Sequence, residues 1–342
     1  MTPVFMFPGQ SSRYPGMLDK LARLHPSADA VLAQASASLG RDLRAHYGSF
    51  GAEDNQGAFE RNVDVQIGVF VANHMMLAAL QGQGIDAEVS LGLSLGEYNH
   101  LVHIGALEFV DALQLVKARG EAYDNGPRGW MASIQPIDLE ALQEAVETIR
   151  ARELGVLEIV NLNSPRQHVI SGAQAAVEAA VELLEDGYYV VPTIIERQVP
   201  MHSSLFTGVG EAMLPHLRRA GFRVPHRPYL PNRMGIPLGK SSHADYVKLL
   251  AEHVHTPVLW RRSIDHVTLH HPEVVFVEVG PRQVLFNLLD RKWISRPKYA
   301  TDSREDTETH FAGVVAALRP AMANIQPPRP AGADEVREWP AA

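Results

Sequence analysis

The stretch Glu88-Val89-Ser90-Leu91-Gly92-Leu93-Ser94-Leu95-Gly96-Glu97-Tyr98 constrains this chain more than any other. A short apolar run enters Gly-x-Ser-x-Gly, and an amphipathic run from Glu97 to His103 follows at once. Strand, sharp turn and helix in that order form the context of a nucleophile elbow. Gly92 and Gly96 remove the Cβ atoms that would clash where strand and helix approach, and the strained turn pushes the Ser94 hydroxyl outward. The following helix aims its N-terminal N–H groups and positive dipole end at whatever Ser94 attacks. The plainer alternative is a glycine-flanked serine that caps a helix, so other residues must choose between the two.

A chain of 342 residues has room for one large domain with an insertion, or for two domains. Hydrophobic residues make up 46% and charged residues 20%, the balance of a globular enzyme rather than a disordered chain. A net charge of -8 and a pI near 6.0 speak against a nucleic-acid partner. With no cysteine there is no disulfide, no thiolate zinc site and no Cys nucleophile, which is compatible with a cytoplasmic location. Met1 to Pro8 lacks a basic start and has only a short apolar run, so it does not read as a signal peptide. The most apolar long segment, Val65 to Leu80, is interrupted by Gln66, Asn73 and His74. It reads as a buried core helix rather than a membrane span, and no membrane partner is expected.

Strands are expected at Val4 to Phe7, at the elbow, at Val274 to Val279 and at Lys298 to Thr301. Between them come helices at about Leu18 to Leu24, Ala28 to Leu39, Asp64 to Gln81 and Glu108 to Tyr123, with residues 40–60 irregular. From Met131 to Ile194 the order becomes β-α-β-β-α-β, the split ferredoxin-like pattern, with its last strand at Tyr188 to Ile194. Ser203 is placed to cap a helix running to about Arg219, and Tyr229 to Asn232 reads as a short strand. The expected fold class is therefore α/β. A large subdomain of residues 1–128 and 196–319 carries an inserted subdomain at 129–195, and a Pro- and Ala-rich mobile tail follows at 320–342.

A serine nucleophile needs a base, and His202 is the best placed. It lies in a loop just before a helix, beside Pro200 and the small hydroxyl residues Ser203 and Ser204. No acid accompanies it in a motif, so a backbone carbonyl can orient the imidazole. Arg119 is the second informative residue. On a helical wheel Phe109, Leu113, Val116 and Tyr123 form an apolar stripe, and Arg119 falls inside its arc. A guanidinium on a core face needs an anionic partner in fork geometry, either an internal carboxylate or a substrate. His253, His255, His266, His270 and His271 invite a metal reading, but no carboxylate motif accompanies them and no metal is expected. Gly280-Pro281 follows a buried strand, at the sheet edge where ligands bind in open α/β sheets.

Together these pieces resemble the malonyl-CoA:acyl-carrier-protein transacylase family, including polyketide synthase acyltransferases. The resemblance runs from Val4 to about Leu318. It is carried by Phe7-Pro8-Gly9-Gln10, Gly92-Leu93-Ser94-Leu95-Gly96-Glu97-Tyr98, Lys117-Ala118-Arg119-Gly120-Glu121-Ala122 and Met131-Ala132-Ser133-Ile134. Further matches are Asn161-Leu162-Asn163-Ser164-Pro165, Val169-Ile170-Ser171-Gly172, Pro200-Met201-His202-Ser203 and Glu278-Val279-Gly280-Pro281. The resemblance implies an α/β-hydrolase-like large subdomain with a ferredoxin-like insertion. It implies Ser94 as acyl-enzyme nucleophile, His202 as general base, and the backbone N–H groups of Gln10 and Leu95 as oxyanion hole. Arg119 would bind a malonyl carboxylate and the Leu259 carbonyl would orient His202. Acyl-CoA enters as substrate, with no permanently bound cofactor, and an acyl carrier protein is the partner. Leu93, Met201 and Tyr123 depart from the family's common residues and bear on which acyl group is chosen. The expected reaction is ping-pong acyl transfer in fatty-acid or polyketide biosynthesis. The alternatives are hydrolysis of acyl thioesters on the same fold, transfer of another acyl group by the same chemistry, and a catalytically silent docking homologue, against which Ser94, His202 and Arg119 together speak.

Overall fold

The computed structural model describes residues 2–48 and 57–322. The chain opens with β1 (Thr2–Phe7), α1 (Met17–Ala22), α2 (Pro26–Leu39), α3 (Leu43–Tyr47) and α4 (Asn62–Gly82). β2 (Val89–Gly92), α5 (Gly96–His103) and α6 (Phe109–Asp124) follow. Next come β3 (Trp130–Ile134), α7 (Leu139–Arg150), β4 (Leu157–Leu162), β5 (His168–Gly172), α8 (Gln174–Tyr188) and β6 (Thr193–Glu196). The chain then returns through α9 (Thr207–Arg219), α10 (His243–His253) and α11 (Trp260–His270) to β7 (Val274–Glu278), α12 (Val284–Leu288), β8 (Lys298–Ala300) and α13 (Thr307–Met322).

The large subdomain is built on a parallel sheet of order β2-β1-β7-β8, in which Val4 pairs with Val89 on one side and Phe276 on the other. Side chains along a strand alternate between faces. Phe5 and Phe7 therefore join the core around α4, while Val4 and Met6 meet Trp260 and Ile264 of α11. Strands covered on both faces have to be apolar throughout, as β1 and β7 are. α4 is long and apolar enough to cross a membrane, yet it is buried on almost every face as the central core helix.

The second sheet is antiparallel, in the order β4-β5-β3-β6, with α7 and α8 packed on one face. That order and the two helices are the ferredoxin-like arrangement. Its other face presents Met131, Val160 and Val169 to Tyr123, Met201 and Phe206, so the small sheet closes over the loop that bears His202.

Several local expectations change. A short helix, α3, interrupts the stretch expected to be irregular, because Asp42 caps it by accepting the Ala45 N–H at 3.0 Å. α8 continues to Tyr188 and the last small strand starts only at Thr193. Pro192 has no N–H to give a ladder, so pairing begins after it. The Ser203 hydroxyl does not cap a helix; it donates to the Pro200 carbonyl at 2.6 Å, and a 3-10 turn intervenes before α9. Tyr229 to Asn232 forms only an isolated bridge, Tyr229 to Leu238. α13 runs to Met322, into the segment expected as a tail from residue 320, and the rest of that segment lies outside the described residues.

Candidate active site

Ser94 sits on the turn between β2 and α5 at φ 53°, in the left-handed region that a residue with a Cβ rarely adopts. The two glycines permit this turn. A Cβ on Gly92 would stand 2.1 Å from the Gly96 carbonyl oxygen, and one on Gly96 would stand 2.1 Å from the Phe7 carbonyl oxygen. Strand, elbow and α5 can pack together only without them.

His202 reaches the elbow from the loop after β6, also at positive φ, 62°. Its Nε2 lies 2.8 Å from Ser94 Oγ and its Nδ1 2.8 Å from the His253 carbonyl oxygen. A carbonyl oxygen only accepts, so Nδ1 carries the proton and Nε2 offers its lone pair to the serine hydroxyl. The carbonyl expected from Leu259 is instead occupied by the Ser263 N–H, in the first turn of α11. The end of α10 supplies the acceptor, and the Val254 carbonyl fixes the His202 main-chain N–H at 2.9 Å. Burial first and the Arg119 charge second bring the His202 imidazole down to about 3, with the His253 carbonyl opposing both. It is therefore a neutral base at neutral pH.

The Pro8-Gly9-Gln10 loop closes on the elbow. A Cβ on Gly9 would lie 3.7 Å from Ser94 Cβ, and Asn73 on α4 holds the Pro8 carbonyl at 3.0 Å. Gln10 opens a 3-10 turn there, and Leu95 is the residue that precedes α5. Neither main-chain N–H is engaged by another backbone group among the described residues.

Arg119 is fully buried on α6. Gly120 brings α6 into backbone contact with α4, since a Cβ there would stand 2.3 Å from Val63 Cα. That approach places Gln66 Oε1 2.8 Å from Arg119 Nη1. Nε and Nη2, the lateral fork of the guanidinium, have no hydrogen-bond partner among the described residues, and no carboxylate there forms an ion pair with it. The guanidinium carbon stands 4.4 Å from the Tyr123 ring centre and 5.9 Å from that of Tyr98. Tyr123 and Met201 share one apolar cluster, whereas Leu93 packs apart from them with Val4 and Met6.

Two residues without a role in the reading of the sequence organise the centre. Asn232 Oδ1 accepts the Ser94 N–H at 2.7 Å, and its amide nitrogen donates to the Gly92 carbonyl. Glu97, buried in α5, accepts the Asn232 N–H at 3.2 Å and the Tyr229 hydroxyl. His100 is turned away from Ser94, since Ser90 and the Leu230 N–H occupy its two nitrogens. The remaining histidines considered for a metal stay apart from this centre, with the His266 and His270 rings tilted against each other, 4.1 Å between centres, on α11.

Comparison with known proteins places the chain in a family. Residues 4–322 match the acyl transferase domain family. The malonyl CoA-acyl carrier protein transacylase of Escherichia coli K12 is 32% identical over 293 residues, covering 84% of this chain and 91% of that protein. The polyketide biosynthesis protein ThaF of Burkholderia thailandensis is 29% identical across 95% of this chain, which spans 27% of ThaF. The solved Clostridium perfringens malonyl CoA-acyl carrier protein transacylase superposes with a TM-score of 0.83 at 25% identity, covering 94% of this chain and 99% of that one. A malonyl-transacylase solved in complex with its type II polyketide-synthase acyl-carrier protein gives a TM-score of 0.82 at 26% identity, covering 94% and 100%. Sequence, fold and the arrangement around Ser94 together make this chain a member of the acyl transferase family.

Proposed function

We propose that this protein moves a malonyl or related dicarboxylic acyl group from CoA to the phosphopantetheine thiol of an acyl carrier protein, through an ester on Ser94. Arg119 carries the reading. A permanently charged group is fully buried with its lateral fork, Nε and Nη2, unpaired among the described residues, and its charge reaches the His202 imidazole. Burying such a group without an anion is costly, and an acyl carboxylate supplies the anion in fork geometry. The relatives whose names specify malonyl transfer point the same way.

The chemistry follows from the arrangement. Ser94 Oγ attacks the thioester carbonyl carbon while its proton passes to His202 Nε2. The main-chain N–H groups of Leu95 and Gln10 hold the oxyanion, aided by the positive end of α5. The carbon–sulfur bond breaks, the imidazolium returns its proton to the CoA sulfur, and the acyl-enzyme remains. The carrier's thiol then gives its proton to His202 and attacks the ester; the returned proton leaves with Ser94 Oγ. Acyl-CoA is a substrate in this scheme, and no resident cofactor is required.

The test is intact-mass spectrometry of the protein with malonyl-CoA, then with a holo acyl carrier protein. One malonyl group should appear on native protein, be absent from Ser94→Ala, and move to the carrier. Persistence of the adduct on Ser94→Ala would remove Ser94 from the reaction, and loss of the group to water alone would make the protein a hydrolase.

A further inference from the structure

The described active-site residues include no acid in contact with His202, which rests on a main-chain carbonyl. One acid nevertheless touches both halves of the Ser94–His202 pair at one remove. Glu97 holds the main-chain N–H of Asn232, whose side chain in turn holds the Ser94 N–H and the Gly92 carbonyl. Its Oε2 also lies 3.5 Å from Nε2 of His253, the residue whose carbonyl carries His202 Nδ1. Both ring nitrogens of His253 lack hydrogen-bond partners among the described residues, the residue is 1% exposed, and its ring centre is 5.1 Å from that of His202.

We propose that Glu97 is the positioning acid of this site, clamping the nucleophile's turn through Asn232 and packing against the ring of His253, whose carbonyl is the base's acceptor. The proposal rests on the Ser94–His202 acyl-transfer reading. Without Glu97, the Asn232 N–H would lose its buried acceptor and the His253 ring the carboxyl that packs beside it, and the turn and the end of α10 could move independently. Displacements of about an ångström in such a pair cost on the order of a hundredfold in rate. The groups facing the carboxyl are His253 from α10, Tyr229 from the segment before α10, Arg119 from α6 and Tyr98 beside it on α5. Burial raises its pKa to about 7, with Tyr229, the Asn232 N–H and Arg119 opposing. The Glu97 charge is therefore set close to neutrality, beside the base that becomes positive during attack.

Glu97→Gln and His253→Leu, singly and together, test this by stopped-flow acylation with malonyl-CoA across pH. Glu97→Gln keeps the shape of the side chain and the His253 carbonyl is retained in both variants. Acylation should slow about ten- to a hundredfold in each single variant while KM stays within about twofold, and the double variant should lose little more. The native profile should show a step near neutral pH that Glu97→Gln abolishes. Rates within twofold of native at every pH, or fully additive losses in the double variant, would overturn the proposal. So would an unchanged step in a folded Glu97→Gln. Acylation of Ser94 by the native protein, measured alongside, keeps failure of this proposal distinct from failure of the reaction it rests on.

Discussion

Nε2 of His202 lies 2.8 Å from Oγ of Ser94, although 108 residues separate them and each occupies a left-handed backbone position, at φ 62° and 53°. Two strained residues meeting side chain to side chain require a surrounding structure that over-determines both. Here that structure is the glycine-lined elbow, Asn232 against the Ser94 N–H, and the end of α10 against His202.

The first consequence concerns the base. His202→Ala should slow acylation of Ser94 by about 10²–10⁴-fold, the range for losing a positioned general base. The measurement is single-turnover mass spectrometry at neutral pH. His100 cannot take over, because both of its nitrogens are engaged with Ser90 and Leu230. A rate within a few-fold of native would remove His202 from the mechanism.

The elbow predicts a contrast between glycines. Gly96→Ala drives a methyl group to 2.1 Å from the Phe7 carbonyl oxygen, where only main chain can yield. Overpacking of this kind costs roughly 1–3 kcal/mol and should displace Ser94, so the melting temperature and acylation both fall. Gly208→Ala, in α9 with nothing within 4 Å of the new Cβ, should be neutral or stabilising by up to about 1 kcal/mol. Equal melting temperatures for the two variants would contradict the geometry.

How much of this was legible depends on the kind of constraint. The elbow could be read because Gly92, Ser94 and Gly96 meet their steric requirement within a few residues of chain. Arg119 could be read because helical periodicity put a charge on an apolar face. The ferredoxin-like order was visible in the alternation of strand and helix signals, and the observed sheet order agrees with it. The carbonyl that orients His202 could not be read, since any residue carries one and only the register of α10 against the His202 loop selects His253 over Leu259. Glu97 and Asn232 escaped for a related reason. A buried polar residue looks like a surface one until the segments that bury it come together, and Pro231-Asn232 approaches the elbow from far along the chain.

Stability should depend on pH in a direction set by groups buried against their preferred charge. Burial lowers His74 to about 4 and His100 and His202 to about 3, from 6.5, and lowers His253 as well. Below about pH 6.5 the unfolded chain binds protons at these sites and the folded protein does not, so stability falls as pH drops. Burial raises Glu97 to about 7 and Glu278 to about 8, from 4.5. The folded protein keeps those protons while the unfolded chain has lost them, so stability also falls as pH rises from about 4.5 to 8. Between 4.5 and 6.5 the two trends oppose, and the four histidines outnumber the two acids. The maximum is therefore expected near pH 6–6.5, with a steeper acid side. Melting temperatures from pH 4 to 9 check this, and a flat profile would contradict the buried charge states.

Arg119 gives the sharpest test of substrate class. Its Nη1 is held by Gln66, its face by Tyr123, and its lateral fork is unpaired among the described residues. A charge-assisted contact to a substrate carboxylate contributes roughly 1.5–3 kcal/mol, so Arg119→Ala should lower kcat/KM for malonyl-CoA about 10- to 150-fold. Acetyl-CoA has no carboxylate and should lose little, or gain once the uncompensated buried charge is gone. Gln66→Leu separates recognition from scaffolding: it removes the internal acceptor but leaves the lateral fork, so it should weaken malonyl-CoA less than Arg119→Ala does. The preference for malonyl over acetyl should therefore collapse or reverse in Arg119→Ala while its melting curve stays cooperative. If both substrates slow equally in a folded Arg119→Ala, the guanidinium serves the architecture between α4 and α6, and the dicarboxylic reading loses its physical support.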